Sequence, residues 1–292
     1  MSPLVCETPE TDWKASFSRE FQQASLQHLE EGFILFFPNL SFHLTGDETE
    51  FLSPHIVRKS KNVSYSVSNR EIKGTVLTKQ AAFRIGNLMH RFAESTRGLL
   101  YNLLPRYRGS LKQGRTSFRP VEIAGRLTSW RKDDTRLHVD CFPSTPLRGR
   151  RILRAFSNVN PAGCPRHWRV GEPFPDLAER FFPKLKTSFP GMHTLLHLLC
   201  LTRAKRSEYD HYMLQLHDYM KQDLDYQKNA RQDALEFPAG GTWLLYTDQV
   251  SHAATAGQFQ LEQTFYLPVS AMERPATSPL RILEKMAGRC LA

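Results

Sequence analysis

The sequence predicts an α+β fold: a single domain spanning residues 1–292, with a jelly-roll or cupin-like β-barrel core flanked by helices. Two observations carry this. Short β-prone runs separated by turn clusters fill residues 121–161, which is the pattern of an antiparallel sheet. After a helical stretch, strands return beyond Pro238-Ala239-Gly240-Gly241, at 242–246 and 258–269, so late strands complete a sheet that early ones began. No internal repeat, low-complexity tract or Gly/Ser-rich linker divides the 292 residues, and a chain of this length can bury a sizeable core as one domain.

In chain order, Trp13, Phe17, Phe21, Leu26 and Leu29 recur at near-helical spacing and predict a helix over 11–31. An apolar strand, 32–37, follows and is stopped by Pro38. Ala82, Ile85, Leu88, Met89 and Phe92 predict a helix over 79–104, interrupted near Gly98, before Pro105 and a basic loop, 106–119. Residues 1–120 are thus expected to be mostly helical. The core, 121–270, is expected to carry strands at 121–130, 135–142 and 151–159, with turns at Lys132-Asp133-Asp134 and Pro143-Ser144-Thr145-Pro146. A helical insertion occupies about 174–234. Within it, 204–234 places Tyr209, Tyr212, Met213, Leu216, Tyr219, Met220 and Leu224 on one stripe, the signature of core packing.

Composition removes several classes of function. Hydrophobic residues are 40% and charged residues 23% of the chain, as in ordinary globular proteins. The longest apolar run, 195–201, contains His197 and falls far short of the roughly 20 residues that cross a bilayer. The first residues lack the basic start and apolar stretch of a secretory signal, so a cytoplasmic location is expected. Five scattered cysteines without a Cys-x-x-Cys pair predict reduced, mostly buried thiols. Any metal chemistry must therefore come from His and carboxylates. The formal charge is +10, but residues 58–160 hold 22 basic against 6 acidic side chains, and the remainder holds 17 against 23. The middle third should face an anion: nucleic acid, a phospholipid surface, or a phosphorylated or carboxylated substrate. A solvated basic face is the alternative.

His138-Val139-Asp140 falls in a predicted strand, where residues two apart share a face about 7 Å apart along the chain. An imidazole and a carboxylate side by side need one more ligand from a neighbouring strand. His252, eleven residues beyond Gly241, is the candidate. Two His and one carboxylate on one face of an octahedron leave positions open, the facial triad of non-haem Fe(II) oxygenases. The triplet alone is weak, and spacing leaves open a strand histidine satisfied by a nearby carboxylate.

Several blocks resemble the bacterial family of 3-deoxy-D-manno-oct-2-ulosonic acid (Kdo) 3-hydroxylases. They are 129–144, from Ser129-Trp130-Arg131 through His138-Val139-Asp140-Cys141-Phe142 to Ser144; 149–154; Asn158-Val159-Asn160-Pro161; 168–174; and Thr247-Asp248-Gln249-Val250-Ser251-His252-Ala253. The resemblance covers most of the chain after residue 121. It implies an Fe(II)- and 2-oxoglutarate-dependent dioxygenase, with O2 as the second cosubstrate, on a double-stranded β-helix. His138, Asp140 and His252 would hold iron. The implied reaction hydroxylates C3 of the outer Kdo of Kdo2-lipid A to give the 3-hydroxylated acid Ko of lipopolysaccharide. The implied place is the cytoplasmic face of the inner membrane, with peripheral contact to an anionic surface and no nucleic-acid partner. Many related oxygenases carry an Arg about ten residues after the last His, yet 253–272 contain no Arg or Lys. Arg154, from the strand after His-x-Asp, is the expected clamp for the 2-oxoglutarate carboxylate. Arg126, Arg151 and Arg136 are its rivals, and Asn158, Thr264 and Tyr266 are possible hydrogen-bonding partners. Arg131, Arg136, Arg151 and Trp168 are expected to face the sugar.

Other patterns carry less. His193-Thr194-Leu195-Leu196-His197 has helical metal spacing but lacks the Glu of a zinc protease. His211 and His217 fit surface positions. Asp133-Asp134 fits a capped hairpin tip, and Arg166-His167-Trp168-Arg169 fits either a substrate-facing loop or a Trp anchor. Two functions besides the Kdo hydroxylase stay open. One is an oxygenase acting on another anionic substrate; the other is a non-catalytic basic barrel that binds lipopolysaccharide or nucleic acid.

Overall fold

The structure, a computed structural model, describes residues 4–58, 60–189 and 191–292, without the side chains of His193 and Thr194. The His193-containing spacing therefore lies outside the described residues. Eleven strands are described: β1 (Val5–Glu7), β2 (Ile34–Phe37), β3 (Val63–Ser66), β4 (Glu71–Lys73), β5 (Lys112–Arg119), β6 (Arg151–Asn158), β7 (Arg166–Gly171), β8 (Gln232–Phe237), β9 (Thr242–Tyr246), β10 (His252–Ala256) and β11 (Gln260–Leu267). They form an eight-stranded sheet in the order β1-β2-β9-β6-β11-β5-β3-β4 and a three-stranded sheet in the order β10-β7-β8. The jelly-roll expectation stands. Residues 1–120, expected to be mostly helical, also supply five strands to the large sheet.

Helices α1 (Arg19–Glu30), α2 (Lys79–Leu103), α3 (Phe174–Phe181), α4 (Met192–Leu198), α5 (Glu208–Gln222), α6 (Leu224–Asn229) and α7 (Pro279–Ala287) surround the sheets. Their starts are chemically marked. Ser18 and Thr78 cap α1 and α2, and Ser207 with Asp210 forms a capping box on α5. α2 runs unbroken through Gly98. The helix expected over 204–234 ends early because the Asp223 side chain accepts from Tyr226 N and restarts the chain as α6, after which β8 follows.

Other expectations fail for identifiable reasons. The basic segment 106–119 is mostly strand β5, and 121–130 is irregular, with Gly125 at φ +73°. The His138 segment is no full strand; it makes a single bridge to His252, through His138 N to His252 O at 3.0 Å and the reverse bond at 2.9 Å. That bridge appends it to the small sheet. None of the five cysteines is paired with another, and Cys164, Cys200 and Cys290 are exposed rather than buried.

The core has three main clusters; one packs α2 onto β3 and β5 through Ile85, Met89, Phe92, Val63 and Phe118. Leu35, Leu153, Leu244 and Phe265 pack the outer face of the large sheet against the helices. Phe36, Phe156, Trp168, Phe237, Trp243 and Leu245 fill the space between the sheets. Phe237 and Trp243 stack there at 4.1 Å between ring centroids. Arg151 points to the helix side, opposite to Arg154, because the two are three residues apart on one strand. It is fully buried, 2.7 Å from Asp248 and 3.9 Å above the Tyr246 ring. Arg151, expected to face the sugar, is thus enclosed in the core and paired there. Asp248→Ala should lose roughly 3–5 kcal/mol, because it strands a buried cation. Chemical denaturation checks this, and an Arg151→Met/Asp248→Leu double variant should recover most of the loss.

Candidate metal centre

β10 opens with His252, and the extended segment before the Pro143 turn brings His138 and Asp140 beside it. Asp140 is fixed by its own backbone, whose N–H donates to Thr247 O at 2.7 Å. The ligand atoms of the three side chains all lie within 4.8 Å of one another. Among the described residues this is the one group of three or more such side chains that could share an ion. Ligand atoms gathered this closely would be able to share one ion.

Both imidazoles are set for coordination. His138 Nδ1 lies 2.8 Å from Arg136 O and His252 Nδ1 2.8 Å from Val250 O. A proton held at each Nδ1 leaves the Nε2 lone pair free to bind metal, the usual outer-shell arrangement for ligating histidines. Burial lowers the pKa of His138, and Lys221 and His252 lower it further; burial also lowers that of His252. Both rings are thus neutral near pH 7. Burial opposes the Asp140 carboxylate, yet the Arg154 cation keeps its pKa below the usual value. Its Oδ2 has no hydrogen-bond donor and lies 3.3 Å from an Arg154 nitrogen. The other oxygen, Oδ1, lies 3.8 Å from His138 Nε2, and a buried, ionised carboxylate beside two free imidazole nitrogens fits a divalent cation.

The rings are held from behind. Trp168 stacks on His252 at 5.2 Å and 19°, and His217 meets His138 edge-on at 5.5 Å. His217, expected at the surface, is half-buried and bonded to Asp218.

The triad opens into a lumen of about 110 Å³ whose charged lining is Arg119, Arg154 and Arg166 against Asp134, Asp140 and Glu262. Glu262 joins Arg154 at 3.0 Å and Arg119 at 2.9 Å. Asp134 gathers Lys61 and Arg126, each at 2.9 Å, so it is more than a hairpin cap; only Asp133 has that role, accepting from Thr135 N. Arg166 differs from its neighbours. It is buried, donates to Gly257 O at 2.7 Å, and among the described residues has no carboxylate within ion-pair distance, while its Nε lacks a partner. Burial, reinforced by Arg119, pushes its pKa down to about 9, which still leaves it charged at neutral pH. Gly257, at φ +113°, makes room for it: a Cβ there would sit 2.8 Å from Arg166 Cδ.

The lumen continues past Arg119, Arg154 and Glu262 into a polar trough of about 540 Å³. Arg115, Arg203, Ser64, Ser66, Thr264 and Tyr266 help to line it. Arg115 Nε donates to Ser64 Oγ at 2.6 Å, and one of its terminal nitrogens is buried without a partner.

The sequence-predicted residues thus divide. His138, Asp140, His252, Arg154 and Trp168 meet at the lumen, and Thr264 lies in the trough. Arg126 is tied to Asp134 outside the lumen lining. Arg136 is tied to Asp133 and to Lys221 O, and Arg131 to Asp218 beside the Trp130 ring; neither lines the lumen or the trough. Asn158 spends its amide on Cys164 O and Phe237 O and is structural. Sequence reasoning missed Arg119, Glu262 and the lumen role of Arg166.

A jelly-roll that presents two imidazoles and a carboxylate to an arginine-lined lumen is the frame of the facial-triad oxygenases, and that is the class these observations define. The model of the 3-deoxy-D-manno-oct-2-ulosonic acid (Kdo) hydroxylase family matches residues 12–290, and the chain belongs to that family. The chain is 49% identical to the crystal structure of the Kdo hydroxylase KdoO, a non-haem Fe(II) α-ketoglutarate-dependent dioxygenase, in complex with α-ketoglutarate and Fe(III). The TM-score is 0.96, covering 100% of this chain and 98% of that one. The same enzyme with succinate and Fe(III) matches at 49% identity and a TM-score of 0.95, over 98% and 97% of the chains. Its cobalt(II) complex matches at 0.96 and 49%, over 98% and 97%. No match is found among the curated proteins.

Proposed function

We propose that the protein is an Fe(II)- and 2-oxoglutarate-dependent dioxygenase that hydroxylates C3 of the outer Kdo of Kdo2-lipid A, giving Ko. The observation that carries the cosubstrate assignment is charge balance in the lumen. Its three arginines and three carboxylates cancel. A divalent ion on neutral histidines would leave a surplus of two charges in a buried space, which a dicarboxylate removes.

In this reading His138 Nε2, one Asp140 oxygen and His252 Nε2 hold iron. Bound with 2-oxoglutarate and O2, the iron supplies the oxidising power that turns a sugar C–H into C–OH, with succinate and CO2 as coproducts. The chain's own residues do the rest. Arg154 holds the outer oxygen of Asp140 and keeps that carboxylate ionised. Arg166 receives the far carboxylate of the cosubstrate, with Arg119 and Arg154 beside it, so the clamp sought in Arg154 alone is shared. Trp168, Phe156 and Ile123 form an apolar wall that keeps bulk water from the reacting centre. The trough takes the sugar acid, and the free Arg115 nitrogen suits its carboxylate. A lipid-borne acceptor of this kind places the enzyme peripherally at the cytoplasmic face of the inner membrane.

The test is an Fe(II)-loaded assay that follows succinate with and without Kdo2-lipid A and reads the lipid by mass. The expected result is lipid-stimulated succinate and a gain of one oxygen atom on the Kdo portion. Succinate without any change in the lipid would overturn the substrate assignment and point to another anionic acceptor.

A further inference from the structure

We infer that the segment around α4, residues 184–189 and 191–206, forms a membrane-docking cap that seats on an anionic phospholipid surface. Phe189, Leu195, Leu198, Leu199 and Leu201 are each 56–77% exposed, and they are five of the nine exposed large hydrophobic side chains among the described residues. Elsewhere such side chains are scattered; here they fall within thirteen positions on and around α4. The backbone beneath them is satisfied by Leu199 N to Leu195 O, Cys200 N to His197 O and Leu201 N to Leu196 O. The leucines are therefore displayed at a closed tip and are not left over from an unpaired strand. An exposed apolar cluster of this kind costs solubility unless something covers it.

The charge around the cluster says what covers it. Residues 184–206 carry Lys184, Lys186, Arg203, Lys205 and Arg206 and no Asp or Glu. In sequence the cations flank the apolar stretch on both sides; Lys184 is paired with Asp223 at 3.3 Å, and the other four have no carboxylate within ion-pair distance among the described residues. Apolar side chains between basic flanks match the boundary of an anionic bilayer, where the side chains enter the acyl region and each cation near the surface adds about 1 kcal/mol. No helix of the described residues is long and apolar enough to cross a membrane, so the cap lies in the surface.

Its position ties docking to the active site. Arg203 N donates to Ser144 O at 2.9 Å, and Arg203 itself lines the trough that opens from the lumen. A docked cap thus brings the trough against the headgroup layer, where a lipid-borne sugar acid is reached without leaving the membrane. This last step rests on the proposed substrate; docking itself does not.

The experiment is vesicle cosedimentation of the metal-free full chain. It compares phosphatidylcholine vesicles with vesicles containing phosphatidylglycerol, for wild type and for Leu198→Asp/Leu199→Asp, with circular dichroism as the fold control. Wild type is expected to bind the anionic vesicles at least tenfold more tightly than the neutral ones, and the variant to lose at least tenfold. Turnover of a water-soluble Kdo acceptor should be unchanged in the variant, while turnover of vesicle-embedded acceptor falls. Equal vesicle binding by wild type and variant would overturn the inference. So would a wild-type dimer that the variant converts to monomer in light scattering, since the tip would then be a self-association surface. Docking without any hydroxylation would instead refute the substrate assignment and leave the cap in place.

Discussion

His252→Ala is expected to lose iron and turnover together while the protein stays folded. The bonds that position this residue are made by its backbone: His252 N to His138 O and His138 N to His252 O. Alanine keeps both. What disappears is one of three ligand atoms and the ring stacked on Trp168. Removing a partner behind a metal ligand typically costs about 10–100-fold in affinity, so removing the ligand itself should cost more than 100-fold. Anaerobic titration with Fe(II) or Co(II) reads this directly, and succinate formation should fall to background. His138→Ala should behave alike. His217→Ala is the informative contrast. That ring touches His138 edge-on and bonds to Asp218, not to the cluster, so its loss should weaken metal binding by about tenfold at most. Near-normal metal affinity in His252→Ala would show that the ion is held elsewhere.

The triad was legible because its geometry needs little from the fold. Two residues apart on any extended backbone place His138 and Asp140 on one face, and this held although the segment makes only one bridge to β10. The turn at Gly240-Gly241 and the apolar run of β9 likewise announced the strands that lead to His252. The arginines of the lumen were not legible, for a physical reason. A polar face of a strand is ordinarily read as facing water, but a barrel turns such a face inward. Gln260, Glu262 and Thr264 share one polar face of β11, as on a solvated strand, yet all three are buried, as is Gln263 between them. β5 has Phe118 as its one large apolar side chain and looked like a basic loop, while Arg119 at its end reaches the lumen. These charges survive burial because Glu262 and Asp134 neutralise most of them, and no sequence spacing reveals pairings across 143 or 73 residues. Part of the basic middle third does turn towards the site. Arg115, Arg119 and Arg154 are among the residues that line the trough.

Arg166→Met is expected to separate cosubstrate binding from stability in opposite directions. Arg166 is the lumen cation without a carboxylate partner, held down to a pKa of about 9 by burial and by Arg119. A cation whose folded pKa lies below its unfolded value costs stability in full at every pH below the folded pKa, here about 9, and the cost fades as pH rises from there towards the unfolded value. Removing the charge while keeping the length should therefore leave the cosubstrate-free protein as stable as wild type or more stable, by a few kcal/mol. The same change strands the far carboxylate of 2-oxoglutarate. The KM for 2-oxoglutarate should rise by about 100-fold or more, as for loss of one partner of a buried charge pair. Arg154→Met should act differently. Arg154 neutralises Asp140 and Glu262, so its loss should lower stability as well as raise the KM. Gly257→Ala should raise the KM mildly, because its Cβ would press on the Arg166 side chain, but should lose stability, because alanine is strained at φ +113°. Thermal unfolding without cosubstrate, paired with 2-oxoglutarate kinetics, makes the comparison. If Arg166→Met destabilised the free protein and left the KM unchanged, Arg166 would be a structural cation like Arg151, and the lumen would need another anchor.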